Sequence, residues 1–373
     1  RFANEQIKWE EIETLDIGLD LALLESRLSL TVDYYVRNTN DLLLTVGLPP
    51  SAGLLQHAWY SRPLDPIVNI GQMQNRGLEL ALSYRDQLND DLFFNISANA
   101  SYNENEVKRL NEDERIVAGR WDGDGNVTVT EVGRPLGSYY GFIVDGIIQS
   151  EAELEALNEG APDGIYTNAG TGPGDFRYRD IGRFDENGDF VPEPDGEITS
   201  ADRTFIGNPW PKWIFGFNTN IKYKSFDLSL FFQGMAGVDR FNSFKSLTHN
   251  LNGDFSMTTG ALGRWTPENP NNDQPRIIND DPNRNRSRVS SYFVEDGSFL
   301  RLKNVQIGCT IPNGWINGLS RMRIYVSGQN LLTFTGYEGF DPEFDTGNNA
   351  NKGIDRGGYP QSRIFTAGLQ LDF

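Results

Sequence analysis

The chain has one cysteine, two histidines and no long uninterrupted apolar run among its 373 residues. Each scarcity closes off a class of protein. A single thiol, Cys309, cannot form an internal disulfide, so no disulfide framework holds this fold. Cys309 sits in "NVQIGCTIP", in phase with Val305, Ile307 and Ile311, and reads as an apolar strand residue. A catalytic thiol would want a histidine partner, and only His57 and His249 exist. No apolar run approaches the roughly 18 residues of a spanning helix, which excludes a helical membrane protein. It leaves a membrane β-barrel open, because alternating strands and polar loops keep mean hydropathy low. Basic residues are also scarce: 33 Lys and Arg face 52 Asp and Glu, for a net charge of -19. Phosphate backbones need Lys and Arg, so nucleic acid is excluded as a partner. No Ser–His–Asp, HExxH or CxxC pattern occurs, and the expectation is that the chain is not an enzyme.

What the chain does have is period-two alternation. Residues 13–23 put Leu15, Ile17, Leu19, Leu21 and Leu23 on one face. Segments 28–36, 76–84, 92–102, 213–223, 227–235, 298–311, 321–331 and 363–373 repeat the pattern, nine in all. Their opposite faces carry residues such as Asp20, Thr31, Glu79, Ser97, Asn220, Arg301 and Lys303. In 298–311 the apolar phase switches between Leu302 and Val305, which predicts a β-bulge.

The intervals between these segments are sorted. Intervals 24–27, 85–91, 224–226 and 312–320 are short, while 37–75, 103–212, 236–297 and 332–362 are long, in strict alternation. Transmembrane barrels have short periplasmic turns and long extracellular loops, whereas a sandwich has no reason to sort its connections. The fold class expected is therefore all-β, an antiparallel transmembrane barrel with its C-terminus on the periplasmic side. Tyr34, Tyr35, Tyr84, Phe93, Phe94, Tyr102, Trp213 and Tyr223 fall near strand ends and read as two interfacial girdles. The longest loop is more than coil. "SEAELEALNEG" carries a Ser150–Glu153 capping box and Gly160 as a stop, which predicts a helix. "GSYYGFIVDGIIQ" at 137–149 reads as part of the loop, since an extra barrel strand would move the C-terminus to the other side.

Several stretches resemble the C-terminal barrel portion of SusC/RagA-type TonB-linked outer-membrane transporters. They include "VNIGQMQNRGLELALSY", "GRPLGSYYGFIVDGIIQS", "DGEITSADRTFIGNPWPKWIFGFNTNIKYKSFDLSLFFQG", "VEDGSFLRLKNVQIG", "RIYVSGQNLLTFTGYEGFDPE" and the terminal "YPQSRIFTAGLQLDF". They occur in family order and cover most of the chain. The resemblance implies a plugged barrel of roughly 22 strands, of which 1–373 would be the C-terminal part, with a long extracellular loop region at 103–212. The N-terminal plug has no counterpart here, and the chain starts at Arg1 without a signal peptide, as a mature chain or a piece of a longer one. The resemblance further implies the outer membrane of a Gram-negative, Bacteroidota-like bacterium, and import of glycans or peptides. The partners it implies are a SusD-like surface lipoprotein, the TonB complex reached through the missing N-terminal part, membrane lipid, and the outer-membrane insertion machinery. For that machinery the terminal Phe373 would be the assembly signal.

The loops hold one metal-type motif, "DGEITSAD", which follows the second half of an EF-hand-like calcium loop. Asp195 takes position 5, Gly196 the turn, Glu197 the carbonyl position, Ile198 the apolar position and Asp202 the closing carboxylate. The upstream half is split: Asp180 precedes an insertion that carries Asp185, Asn187 and Asp189 at alternating spacing. Asp180 or the inserted residues would have to complete a structural Ca2+ site, the alternative being an acidic solvated turn. "WDGDGN" (Asp122, Asp124, Asn126) alternates similarly but lacks a closing carboxylate. Residues 103–212 hold 23 acidic and 10 basic residues, a crowding that a divalent ion or basic partner surface would ease. Trp59, Tyr60, Trp121, Trp210 and Trp265 read first as loop anchors and second as platforms for sugars or a lid. The competing reading is a secreted calcium-binding β-rich adhesin or carbohydrate-binding module.

Overall fold

The computed structural model describes residues 7–45, 67–110, 115–121, 123–249, 256–311, 319–344 and 352–373. Nine strands form one antiparallel sheet: β1 (Glu11–Leu23), β2 (Leu28–Thr45), β3 (Ile67–Asn89), β4 (Leu92–Leu110), β5 (Trp213–Tyr223), β6 (Phe226–Ala236), β7 (Phe299–Ile311), β8 (Arg321–Thr335) and β9 (Ile364–Asp372). Sheet order follows chain order throughout, so the sheet is an up-and-down meander. β1 and β9 lie at its two edges, and the barrel is not closed among the described residues.

The alternation locates these strands because a sheet with one apolar and one polar face keeps its register. β2 and β3 outrun their patterns, reaching Thr45 and starting at Ile67. There the sequence turns to mixed polarity ("RNTND", "QMQNR"), while the cross-strand ladder continues. The predicted bulge lies at Lys303, which both neighbours of β7 skip: Phe232 pairs with Leu302 and Phe231 with Asn304.

Burial is inverted relative to a soluble domain. Ile17, Leu19, Leu369 and Phe365 are 62, 55, 59 and 76% exposed on the strands. Two aromatic rows bound this apolar face. Ile17, Tyr34, Leu78, Tyr102 and Trp213 are in register across five strands, with Tyr102 and Trp213 rings 4.9 Å apart. Near the short turns, Tyr84 meets Phe94 at 5.7 Å, and Tyr223 pairs with Phe226. From Trp213 to Tyr223 the strand rises about 33 Å, and a tilt of about 40° reduces this to about 25 Å, the height of an outer-membrane apolar band. Tyr35 and Phe93 depart from the girdle reading: alternation turns them to the opposite face, where the Tyr35 hydroxyl donates to Asn103 Oδ1 at 2.8 Å.

Among the described residues, the buried core lies in three of the long loops, which pack into one head. Trp121, Val127 and Tyr139 from the β4–β5 loop cluster with Phe241, Val289 and Phe293 from the β6–β7 loop and Ile354 from the β8–β9 loop. A second cluster joins Phe142, Tyr166, Phe176, Tyr178 and Ile198 to Trp265. The strands Ile116–Arg120, Asn126–Thr130, Ser138–Gly141 and Thr204–Gly207 form a small sheet of their own. The 137–149 stretch is thus a loop element and not a barrel strand. Helix α1 (Glu151–Gly160) starts where predicted: Ser150 Oγ accepts from Glu153 N–H, and Leu154 is buried.

Two sets of contacts fix the head to the wall. Val107 and Leu110 at the top of β4 bury against Leu136, and Leu136 N–H donates to Asn105 Oδ1 at 2.8 Å. On β7, Arg301 bonds Asp341 at 2.6 Å and Glu343 at 2.7 Å, and Lys303 bonds Glu343 at 2.8 Å. Arg301 and Asp341 are nearly fully buried. Removing one partner from such a pair costs about 3–5 kcal/mol. Within the head, buried Asp175 accepts from Arg276 and from Asn285, while Asn283 bonds Phe176 O and Thr171 Oγ1. This network staples the β6–β7 loop to the β4–β5 loop.

Candidate functional site

The face opposite the apolar band is polar and cross-linked. Thr31 donates to Asp20, Ser101 to Glu79, and Arg323 pairs with Asp227. A shallow concavity of about 180 Å3 runs along it, lined by Ser29, Thr31, Ser83, Asn99 and Asn218, with Phe231 among them. This is the surface expected of a lumen wall. Cys309 lies on β7 in register with Phe226 and Ile324, an ordinary strand position.

The motif residues fold into one neighbourhood but play different parts. Gly196 holds φ +87°, a left-handed turn that a side chain would strain, and Ile198 enters the second core cluster. Asp202 is fully buried; its carboxylate accepts main-chain N–H groups of Ile181 (2.7 Å), Gly182 (3.2 Å) and Thr199 (2.7 Å). Three amides occupy much of its acceptor capacity, and through them it braces the loop. Asp180 Oδ2 accepts Gly196 N–H at 2.6 Å, and its buried Oδ1 has no hydrogen-bond partner among the described residues. Burial raises the Asp180 pKa, and the charges of Asp202 and Asp195 add to the shift. Asp195 accepts Glu197 N–H at 3.1 Å.

The insertion forms a hairpin, Arg183–Phe184 against Phe190–Val191. Asp185 Oδ1 accepts the N–H groups of Asn187 and Asp189 within its turn. Those amides hold the Asp185 pKa below its usual value. Among the described residues no group of three or more His, Cys, Asp or Glu is arranged around a metal position. Asp122 lies outside the described residues; Asp124 accepts from Ser287 Oγ at 2.6 Å.

The loop tryptophans are anchors. Trp121 and Trp265 are buried, and Trp210 Nε1 donates to Leu136 O at 2.7 Å. Trp59, Tyr60 and His57 lie outside the described residues. Sequence reasoning misses the Arg301–Asp341 clamp and the Asp175–Asn285 network. Their only sequence signal is polar side chains at alternate positions, such as Asn283 and Asn285, inside loops dominated by Asn and Asp.

An open antiparallel meander with an apolar outer band, a polar inner face and long loops gathered at one end defines a class: the wall of an outer-membrane-type β-barrel. The comparisons narrow it. Residues 1–142 match the family model described as TonB dependent receptor-like, beta-barrel. TonB-dependent receptor P3 of Formosa agariphila is 35% identical across 100% of this chain. TonB-dependent receptor SusC of Bacteroides thetaiotaomicron is 26% identical across 99% of it. A solved structure of the RagAB peptide transporter superposes over 100% of the chain with a TM-score of 0.75 and 26% identity. The chain spans about a third of these proteins: 35, 32 and 36% of their lengths. The chain is similar to the barrel of TonB-dependent receptors, and the resemblance to the SusC/RagA type holds in sequence and in fold. These relatives are receptors and transporters, not enzymes.

Proposed function

We propose that this chain forms the barrel wall and outer loop head of an outer-membrane importer for glycans or peptides, energised through TonB. The carrying observation is the nine-strand meander with three long loops packed into one head, in a chain 35% identical, across all its residues, to 35% of a TonB-dependent receptor. In this reading the head faces outward and receives a SusD-like lipoprotein, and the polar inner face lines the lumen. The part of such an importer that this chain does not span contacts the TonB complex, and Phe373 marks the last strand for the insertion machinery. The strongly acidic β4–β5 loop favours a partner surface that is basic or bridged by cations.

Calcium enters this proposal in reduced form. Asp180 and Asp195, with loop carbonyls, would hold the ion, and Asp202 would brace them from behind. An ion there would supply structural stability and no chemistry. The unpartnered Asp180 Oδ1 and its raised pKa support it.

Uptake tests the importer reading. Labelled oligosaccharides and oligopeptides are offered to the parent strain and to one lacking the full-length gene, with and without a protonophore. Protonophore-sensitive uptake lost on deletion is expected. Equal uptake of both cargo classes by the two strains would refute the reading.

A further inference from the structure

β2, β3 and β4 run on above the upper aromatic row, and there their two faces differ. The inner face is covered: Thr39, Asn105 and Val107 are buried, and Met73 packs with Val107 and Leu136 under the head. The outer face continues the lipid-facing band without a break, because Leu78, Arg76, Gln74 and Gln72 alternate onto one side of β3. This part of it is an amide ladder. Gln74 Nε2 donates to Asn38 Oδ1 at 2.9 Å, and Gln72 Nε2 donates to Asn40 Oδ1 at 2.8 Å. Arg76 pairs with Glu104 at 2.6 Å and Lys108 with Glu106 at 2.7 Å, so these charges beside the amides neutralise each other.

Height decides what this face meets. From Leu78 to Gln72 the strand advances about 20 Å along its axis, or about 15 Å in height after a tilt of about 40°. A phospholipid head-group layer is about 5–8 Å deep, so it ends between Arg76 and Gln74. The Gln74–Asn38 and Gln72–Asn40 pairs stand above it, on a surface continuous with the lipid interface. A side-chain amide has two donor hydrogens and two acceptor lone pairs. Each cross-strand bond uses one hydrogen of one amide and one lone pair of the other. The positions left over suit hydroxyls, which also both donate and accept. We infer that this outer face of β2–β4 binds the saccharide head group of a glycolipid in the outer leaflet. The inference rests on the outer-membrane reading of the chain.

The full-length protein in detergent is titrated with lipopolysaccharide that carries a core oligosaccharide, and separately with lipid A, its saccharide-free anchor. Native mass spectrometry counts the bound lipid. The parent is expected to bind the saccharide-bearing form about ten-fold more tightly, the worth of one or two hydrogen bonds. Gln72→Met combined with Gln74→Met keeps side-chain length and removes both amides of β3. This variant is expected to lose the preference while its affinity for lipid A stays the same. Equal affinity of the parent for the two lipids would overturn the inference, whether or not the variant folds. So would a preference that survives in a variant with the parent's melting temperature. The outer-membrane reading fails separately, through recovery as a soluble protein without detergent.

Discussion

Asp202 and Asp180 belong to one motif, and the fold gives them opposite surroundings. Asp202 has traded water for three main-chain amides, while Asp180 keeps one buried oxygen unpaired among the described residues, beside Asp202 and Asp195. Spacing alone cannot show this, because the same residues serve a metal shell or an amide cap. The raised Asp180 pKa has a definite sign. An acid whose folded-state pKa exceeds its unfolded value adds most to stability at low pH. That contribution is lost as pH rises from the ordinary carboxylate range through the folded value. Without calcium, Asp180→Asn is therefore expected to raise the melting temperature of the full-length protein at neutral pH. With calcium, the parent is expected to gain stability and the variant to gain little. Scanning calorimetry with calcium titration decides this, and an identical calcium response in both proteins would sink the Asp180 site.

Among the elements, the barrel strands are the legible part, because a strand between lipid and lumen must alternate at every turn of the pleat. β5 coincides with its predicted span, and even the bulge at Lys303 is visible as a phase switch. The upper halves of β2 and β3 are not legible: where both faces meet polar surroundings, the period disappears while the hydrogen bonds persist. The face assignment makes a quantitative prediction. Ile307 is 51% exposed on the apolar face of β7, and Gln306 points the other way. Ile307 lies one apolar position inside the Phe226 row, so Ile307→Arg is expected to cost about 1–2 kcal/mol in lipid, between the interfacial and mid-bilayer penalties for a charge, and Gln306→Arg close to nothing. Equal costs in denaturant unfolding from vesicles would reverse the faces. β9 carries a second prediction. It packs Gly368 directly beneath the Tyr325 ring of β8 and leaves Phe373 90% exposed at its end. Deleting Phe373 is expected to lower outer-membrane assembly without lowering synthesis. Normal assembly of the deletion would remove the terminal residue from that role.

For the whole molecule, the division of labour is unusual only against a soluble template. The wall exposes its aliphatic residues and the loops supply the core. Helix α1, the off-barrel 137–149 stretch and the anchoring tryptophans are each legible, since they rest on local signals. The assembly of three loops into one head is not, because Tyr139, Phe241 and Ile354 meet across more than two hundred residues without any shared period. The central claim is that this chain is part of a membrane-embedded barrel, and heat modifiability tests it most directly. Membranes from cells expressing the full-length protein are extracted in detergent and run on gels with and without boiling. The structure predicts recovery with the outer membrane and a mobility that shifts on heating. Recovery as a soluble protein without detergent, with one mobility in both samples, would contradict it.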